Sequence, residues 1–246
     1  TGGNFELLTV NPAAAVTTVT DDSDATTVTL TATPSVVEGG TIVYTATLSS
    51  AAQTAVTVTL STGQTIAIAA GATTGTVSIA APTEDVYVDA GTVSRTITSA
   101  TGGNFEALNV NPAAATTAVT DTIDTTTLSL SGSATVVEGA AGSYTVSLTS
   151  PAQTAVTVNL TYSGTAANGA DFTGVASVTI AAGARSATFN IATLDDLIDE
   201  VAAESFTVTV ASATGGNFEN LVISGTNNRV TTASTDNDNA PTIAVS

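Results

Sequence analysis

The chain has 246 residues and carries 21 Asp and Glu against three Arg and no Lys, for a formal charge of −18. His, Cys, Met and Trp are absent, which excludes Ser–His–Asp and Cys–His triads, Schiff-base lysines and His- or Cys-ligated zinc. Lysine-dependent phosphate sites go with them, and so acidic a surface repels nucleic acid and anionic membrane.

Internal repetition organises the rest. Thr-Gly-Gly-Asn-Phe-Glu stands at Thr1–Glu6, Thr101–Glu106 and Thr214–Glu219. Val-Val-Glu-Gly stands at Val36–Gly39 and Val136–Gly139, and Gln-Thr-Ala-Val-Thr-Val starts at Gln53 and Gln153. The first offset is 100 residues and the last 113, so the second unit holds an insertion. Asp-rich punctuation closes each unit. Residues 1–24 read as the C-terminal strand of a preceding repeat, either frayed or paired with another chain. Complete repeats follow at 25–124 and 125–238, and 239–246 begins the next. The chain therefore reads as a piece of a longer array.

Within each repeat the pattern has period two. Ile42, Tyr44, Ala46 and Leu48 alternate with Val43, Thr45 and Thr47, and Val56, Val58 and Leu60 with Thr57 and Thr59. Thr, a strand former, fills about a fifth of the chain. No apolar run approaches the roughly 18 residues of a spanning helix. Turn clusters recur about every 8–12 residues. This predicts an all-β fold of tandem, Ig-like, Greek-key antiparallel sandwiches with seven strands, A to G, in each. In the first repeat the strands fall near 26–32, 41–49, 54–61, 65–69, 75–81, 92–99 and 105–120. Arg95 shares parity with Val93 and Ile97, which calls for either a bulge or a paired arginine.

Strand direction then sorts the acids. In such a sandwich the A–B, C–D and E–F loops share one pole with the end of strand G. Glu38 lies in A–B, Glu84, Asp85 and Asp89 in E–F, and Asp121 and Asp124 beyond G. The second repeat offers Glu138 in A–B and Asp171 in an enlarged C–D loop. Its E–F loop carries Asp195, Asp196, Asp199, Glu200 and Glu204, and Asp236 and Asp238 close the unit. Glu106 and Glu219, in the F–G turns, lie at the opposite pole. There they face Asp21, Asp22 and Asp24, or the equivalent linker of their own predecessor. Like charges gathered this way repel one another unless a cation intervenes. Ca²⁺, with six to eight oxygen ligands in flexible geometry, suits them better than Mg²⁺. The plainer reading is that the acids solvate turns, and Asp171 fits an Asx turn nearly as well as a ligand role. Gly-Gly-Asn-Phe-Glu reads as a tight F–G turn pinned by Phe105 or Phe218. A glycosidase carboxylate pair lacks any Trp on which a sugar could stack.

Two resemblances add to this. Gly164-Thr165-Ala166, Gly169-Ala170-Asp171-Phe172, Val178-Thr179-Ile180 before Ala182-Gly183, and Asp195-Asp196 ahead of Glu204-Ser205-Phe206-Thr207-Val208 resemble a Calx-β domain. The resemblance implies that Glu138, Asp171, the acids from Asp195 to Glu204, Asp236 and Asp238 sit where that family binds Ca²⁺. The first repeat is similar to a shortened relative. It lacks the Gly-x-Asp-Phe insert and has Gly91-Thr92-Val93 for Glu204-Ser205-Phe206, which implies fewer ions. The whole chain resembles extender repeats of giant LapA-type (RTX) biofilm adhesins, exported by type I secretion. That resemblance implies a non-enzymatic, extracellular, monomeric stalk at the bacterial cell surface, stiffened by Ca²⁺ and projecting a ligand-binding tip for adhesion. Its partners are neighbouring repeats of the same chain, with no nucleic acid and no membrane insertion. The rival expectation is a module that binds a ligand or carbohydrate through calcium.

Overall fold

Short apolar alternations divided by turns leave no segment long enough for a helix. Twenty strands form among the described residues of this computed structural model, which are 3–4, 6–196 and 204–238. The first repeat contains β1 (Ala25–Ala32), β2 (Ser35–Val37), β3 (Thr41–Leu48), β4 (Val56–Leu60) and β5 (Thr65–Ile68). It continues with β6 (Thr74–Ala80), β7 (Gly91–Arg95), β8 (Ile97–Gly102), β9 (Ala107–Val110) and β10 (Ala115–Thr120). The second contains β11 (Thr125–Gly132), β12 (Thr135–Val137), β13 (Ala141–Leu148), β14 (Val156–Gly164) and β15 (Phe172–Thr173). It ends with β16 (Ser177–Ile180), β17 (Ser186–Thr193), β18 (Glu204–Gly215), β19 (Asn220–Ile223) and β20 (Arg229–Thr235).

The second repeat is a sandwich of two five-stranded sheets, ordered β15-β17-β13-β11-β19 and β12-β20-β18-β14-β16. The first has a four-stranded sheet, β6-β3-β1-β9, and two three-stranded ones, β5-β4-β8 and β2-β10-β7. Seven strands become ten in the first repeat because A, F and G each break in two. Strand A breaks at Thr33-Pro34, as its twin in the second repeat breaks at Ser133-Ala134 without a proline. Its halves then pair with different sheets: β1 with β3 and β9, and β2 with β10. The pairings of A with G are parallel in both repeats, whereas the hairpin pairings are antiparallel. At Arg95 the outcome is a break and a bulge. The strand stops there and resumes at Ile97, and the β4–β8 register shifts between Thr59 and Leu60. Arg95 Nη1 donates to the carbonyl of Ser94 at 2.8 Å.

Burial follows the alternation. Ile42, Tyr44, Val56, Val58, Ile66 and Ile68 of the first repeat are fully buried, as are Leu128, Tyr144, Val156, Val158 and Ile180 of the second. The insertion in the second repeat has a packing role. It delivers Phe172, whose ring stacks on Phe206 at 4.3 Å and meets Tyr162 at 5.3 Å. The described part of 1–24 forms no strand and is exposed throughout, with Leu7 and Val16 more than four-fifths accessible. Its counterpart, 107–120, pairs with β1 and β2 of its own repeat.

Contacts group the chain into two compact units that do not coincide with the repeats. One comprises residues up to Thr33, Val43–Ile79 and Ser94–Thr116. The other comprises Pro34–Ile42, Ala80–Val93 and everything from Thr117 onward. The A–B and E–F loops of the first repeat thus belong to the compact unit that contains the second. No helix of the described residues is long and apolar enough to cross a membrane.

Truncating Phe172 to Ala removes the centre of the aromatic stack. The expected loss is about 3–5 kcal/mol, read as a lower urea midpoint at unchanged slope.

Candidate metal centres

Both acid clusters are built on the same turn. Val-Val-Glu-Gly reverses the chain with Gly39 and Gly139 in the left-handed region, at φ of +66° and +71°. A side chain there is disfavoured on backbone grounds. At Gly139 it would also meet Asp195 Cβ at 3.2 Å. The turn is anchored by backbone bonds: Glu38 N donates to Thr120 O at 3.1 Å and Gly39 N to Pro82 O at 2.7 Å. Glu138 N donates to Thr235 O at 3.1 Å in the same way. The A–B glutamate is therefore held against the end of strand G.

The first cluster lies wholly within the second compact unit. One carboxylate oxygen each from Glu38, Asp121 and Glu219 lies within 4.8 Å of the others. Glu38 is only 2 % exposed, and its Oε2, Asp121 Oδ1 and Glu219 Oε1 are buried with no hydrogen-bond partner among the described residues. Asp89 and Asp85 complete the surroundings. Asp89 N donates to Asp121 Oδ2 at 3.2 Å, and Asp85 Oδ1 accepts from Tyr87 N at 2.8 Å. Glu38 is pushed up to about 7 from the ordinary 4.5 by a hydrogen bond with Asp89, then by burial, then by the charges of Asp89, Asp121 and Asp85. The donor set is all oxygen, as a hard cation requires. Metal–oxygen distances of about 2.3–2.6 Å let oxygens so spaced share one Ca²⁺.

Glu219 reaches this cluster because the loop before β7 docks on the turn before β19. Tyr87 and Phe218 stack with ring centres 5.6 Å apart, and the Tyr87 hydroxyl donates to Pro151 O at 2.6 Å. Val88 N donates to Asn217 O at 3.1 Å and Glu219 N to Val86 O at 3.0 Å. The other oxygen of Glu219, Oε2, accepts from Asp124 N at 2.6 Å. Position-by-position reading of the acids passes over this contact. Its signal is the apolar Val86-Tyr87-Val88 run inside an otherwise acidic loop.

In the second cluster, one oxygen each from Glu138, Asp236 and Asp238 lies within 4.8 Å of the others, and Asp238 N donates to Asp236 Oδ1 at 2.7 Å. The remaining acids divide. Glu84 accepts a bond from the Thr122 hydroxyl and stands beside Gly39. Glu106 Oε2 accepts from Asp24 N at 2.5 Å, while Asp21 and Asp22 are exposed. Asp171 joins neither cluster; its Oδ2 accepts from Ala167 N at 2.6 Å and closes its own loop. Asp195 packs beside Gly139, Asp196 is exposed, and Glu204 opens β18 opposite Ser234. Asp199 and Glu200 lie outside the described residues.

A family model for the LapA domain matches this sequence twice, over residues 24–122 and 124–237. The chain belongs to the LapA domain family. Two LapA domains in tandem make it an adhesin extender module, and the LapA domain is a non-enzymatic kind of domain. No curated protein matches the chain. Among solved structures it is similar to an apo-form Calx CBD1 domain, at 22 % identity and a TM-score of 0.40 over 47 % of this chain and all of that one. It is also similar to the native conformation of Escherichia coli α2-macroglobulin (9 % identity, TM-score 0.30, 88 % of this chain and 17 % of that one). A Salmonella α2-macroglobulin reacted with methylamine gives 10 % identity and a TM-score of 0.28, over 87 % of this chain and 16 % of that one. Likenesses at this level are too distant to bear on the function of these LapA domains.

The raised pKa of Glu38 gives a signed expectation. A carboxyl that holds its proton to about pH 7 when folded, against 4.5 when unfolded, stabilises the fold most at low pH. That contribution is lost as pH rises through 7. In chelator, the melting temperature of the wild type therefore falls between pH 5 and pH 8. Glu38→Gln, a neutral mimic of the protonated acid, flattens the fall and raises the melting temperature at pH 8.

Proposed function

We propose that the chain is a calcium-stiffened spacer of a bacterial surface adhesin, and that its acid clusters bind Ca²⁺. The observation carrying this reading is Glu38: a carboxylate almost fully removed from water, with an unpartnered oxygen among other carboxylates. A charge so placed is costly unless a counter-charge joins it. The chain's three arginines do not provide one. Arg95 and Arg185 donate to backbone carbonyls, and Arg229 is exposed on β20. Glu38, Asp121 and Glu219 would hold one ion, with Asp85 and Asp89 in reach. Glu138, Asp236 and Asp238 would hold another. Turn carbonyls and water would fill the remaining coordination positions.

Ca²⁺ supplies positive charge in place of repulsion. Because Glu38 and Asp121 come from the first repeat and Glu219 from the second, the ion would also fasten one repeat to the next. Extracellular modules bind calcium with dissociation constants of about 10⁻⁴–10⁻³ M. Such sites stay empty in a cytosol and fill outside the cell. Folding and stiffening would thus follow export, which we assign to type I secretion. A monomeric stalk of such repeats would carry a ligand-binding tip away from the cell surface for adhesion and biofilm formation.

Calcium binding to the folded form raises its stability by mass action. At a hundredfold excess over the dissociation constant, one site adds about 2.7 kcal/mol, on the order of 5–10 °C for a protein of this size. The melt followed by circular dichroism should rise by at least this much in millimolar Ca²⁺, with no comparable rise in Na⁺ of equal ionic strength. Equal melts in Ca²⁺ and chelator would overturn the proposal. Glu38→Gln should shrink the calcium-dependent rise even as it stabilises the ion-free protein, so the two effects have opposite sign. Small-angle scattering tests the mechanical part. The maximum dimension should lengthen and its spread narrow with Ca²⁺; an unchanged distance distribution would remove stiffening from the account.

A further inference from the structure

The first repeat presents the counterpart of the surface on which the Tyr87 loop is seated in the second, and among the described residues no E–F loop is seated on it. A pocket there is lined by Asp24, Ser50, Ala51, Gln53, Phe105 and Glu106, all within the first compact unit. Each feature has its counterpart 100 or 113 residues on. Asn104 and Asn217 both hold positive φ, 55° and 59°. Asn104 Nδ2 donates to Gln53 Oε1 at 2.7 Å, as Asn217 Nδ2 does to Gln153 Oε1 at 2.8 Å. Gln53 N bonds Gly103 O at 3.0 Å, and Gln153 N bonds Gly216 O at 3.1 Å. Phe105 lies so close over Gly103 that a Cβ there would fall 2.1 Å from its ring; the corresponding distance for Phe218 over Gly216 is 2.3 Å. The ring, the amide clamp and the turn therefore hold one shape with or without an occupant. A preformed surface loses little freedom on binding.

We propose that this surface is a socket for the E–F loop of another repeat of the first type, bearing the segment Asp85-Val86-Tyr87-Val88-Asp89. The occupant is specified by what is already seated on the twin surface. An aromatic ring stacks on the phenylalanine. A tyrosine hydroxyl reaches the carbonyl at the position of Ala51, the counterpart of Pro151. One strand-like step of backbone pairs with the turn: Asn217 O accepts from Val88 N and Asn217 Nδ2 donates to Val88 O at 3.3 Å. The residues 194–203 of the second repeat contain no aromatic residue, so that loop cannot supply the stack. The socket thus selects first-type repeats as the preceding neighbour. It does so through apolar and backbone contacts, with no ion required. Docking would also bring a Glu38 counterpart toward Glu106, whose Oε2 is already held by Asp24 N just as Asp124 N holds Glu219.

The test uses the absence of cysteine from the chain. Tyr87 and Phe218 form an antiparallel bridge pair, flanked by the Val88–Asn217 and Glu219–Val86 bonds. This is the non-hydrogen-bonded pairing, with Cα atoms about 4.5 Å apart, within the span of a disulfide. In the existing chain, Tyr87→Cys with Phe218→Cys should cross-link on mild oxidation. The chain is then extended by a second copy of residues 25–124 in tandem, so that a first-type repeat precedes another. Tyr87→Cys in the leading copy with Phe105→Cys in the following copy should cross-link to the same extent, in chelator as in calcium. Cross-linking of the native pair alone, or of neither, would overturn the proposal. Phe105→Ala gives a thiol-free check. In the following copy of the extended chain it should lower the melting temperature clearly more than it does in the existing chain; equal effects would also count against the socket.

Discussion

The arrangement turns on the energetics of a buried negative charge. Among the described residues every carboxylate but Glu204, at the head of β18, lies in a turn or loop, because strand faces must stack against each other, and the sandwich then collects those turns at its ends. At the first repeat's far end the collection is extreme. Glu38 is pressed between the end of strand G and the E–F loop, surrounded by Asp85, Asp89 and Asp121, with Glu219 arriving from the next repeat. Such an assembly has two ways to lower its energy: take up protons, which the raised pKa of Glu38 reflects, or take up a cation. Backbone bonds to Thr120 and Pro82 prevent the third, moving apart.

The two acid clusters differ in how they are completed. Glu138, Asp236 and Asp238 come from one repeat. Glu38 and Asp121 depend on Glu219, and Glu219 depends on the Tyr87–Phe218 contact that seats the loop. Apolar docking and acid clustering are therefore coupled: the stack determines where the charges meet. This also explains why the compact units cut across the repeats. The A–B and E–F loops of the first repeat fall in the same compact unit as the second repeat.

The period-two alternation of Val, Ile and Thr was enough to expect strands, and burial of Ile42, Tyr44, Val56 and Val58 follows it residue by residue. Less legible were the breaks. Pro34 hints at the split in strand A, but the parallel pairing of its halves with strand G depends on which sheet each half reaches. The Asp171-Phe172 pair shows the same limit. In sequence it reads nearly as well as a turn as it does as a ligand; in the structure the acid accepts from Ala167 N of its own loop and the ring stacks on Phe206. Ala167 is only four residues from Asp171, whereas Phe206 lies far along the chain from Phe172. The described part of 1–24 carries the letters of a G strand yet forms none, because strandedness depends on partners as well as on propensity.

The amino-acid order by itself determined the repeat length, the β class, the gathering of nearly all the acids in loops and the exclusion of histidine, cysteine and lysine chemistry. These are local properties: period, composition and turn residues act over a few positions. Tertiary structure alone decided that Glu38, Asp121 and Glu219 share one cluster and that Tyr87 finds Phe218. Those outcomes join residues up to 181 positions apart. Their energies come from burial, stacking and like-charge proximity, which exist only once the strands have paired and the loops have been brought to a common end.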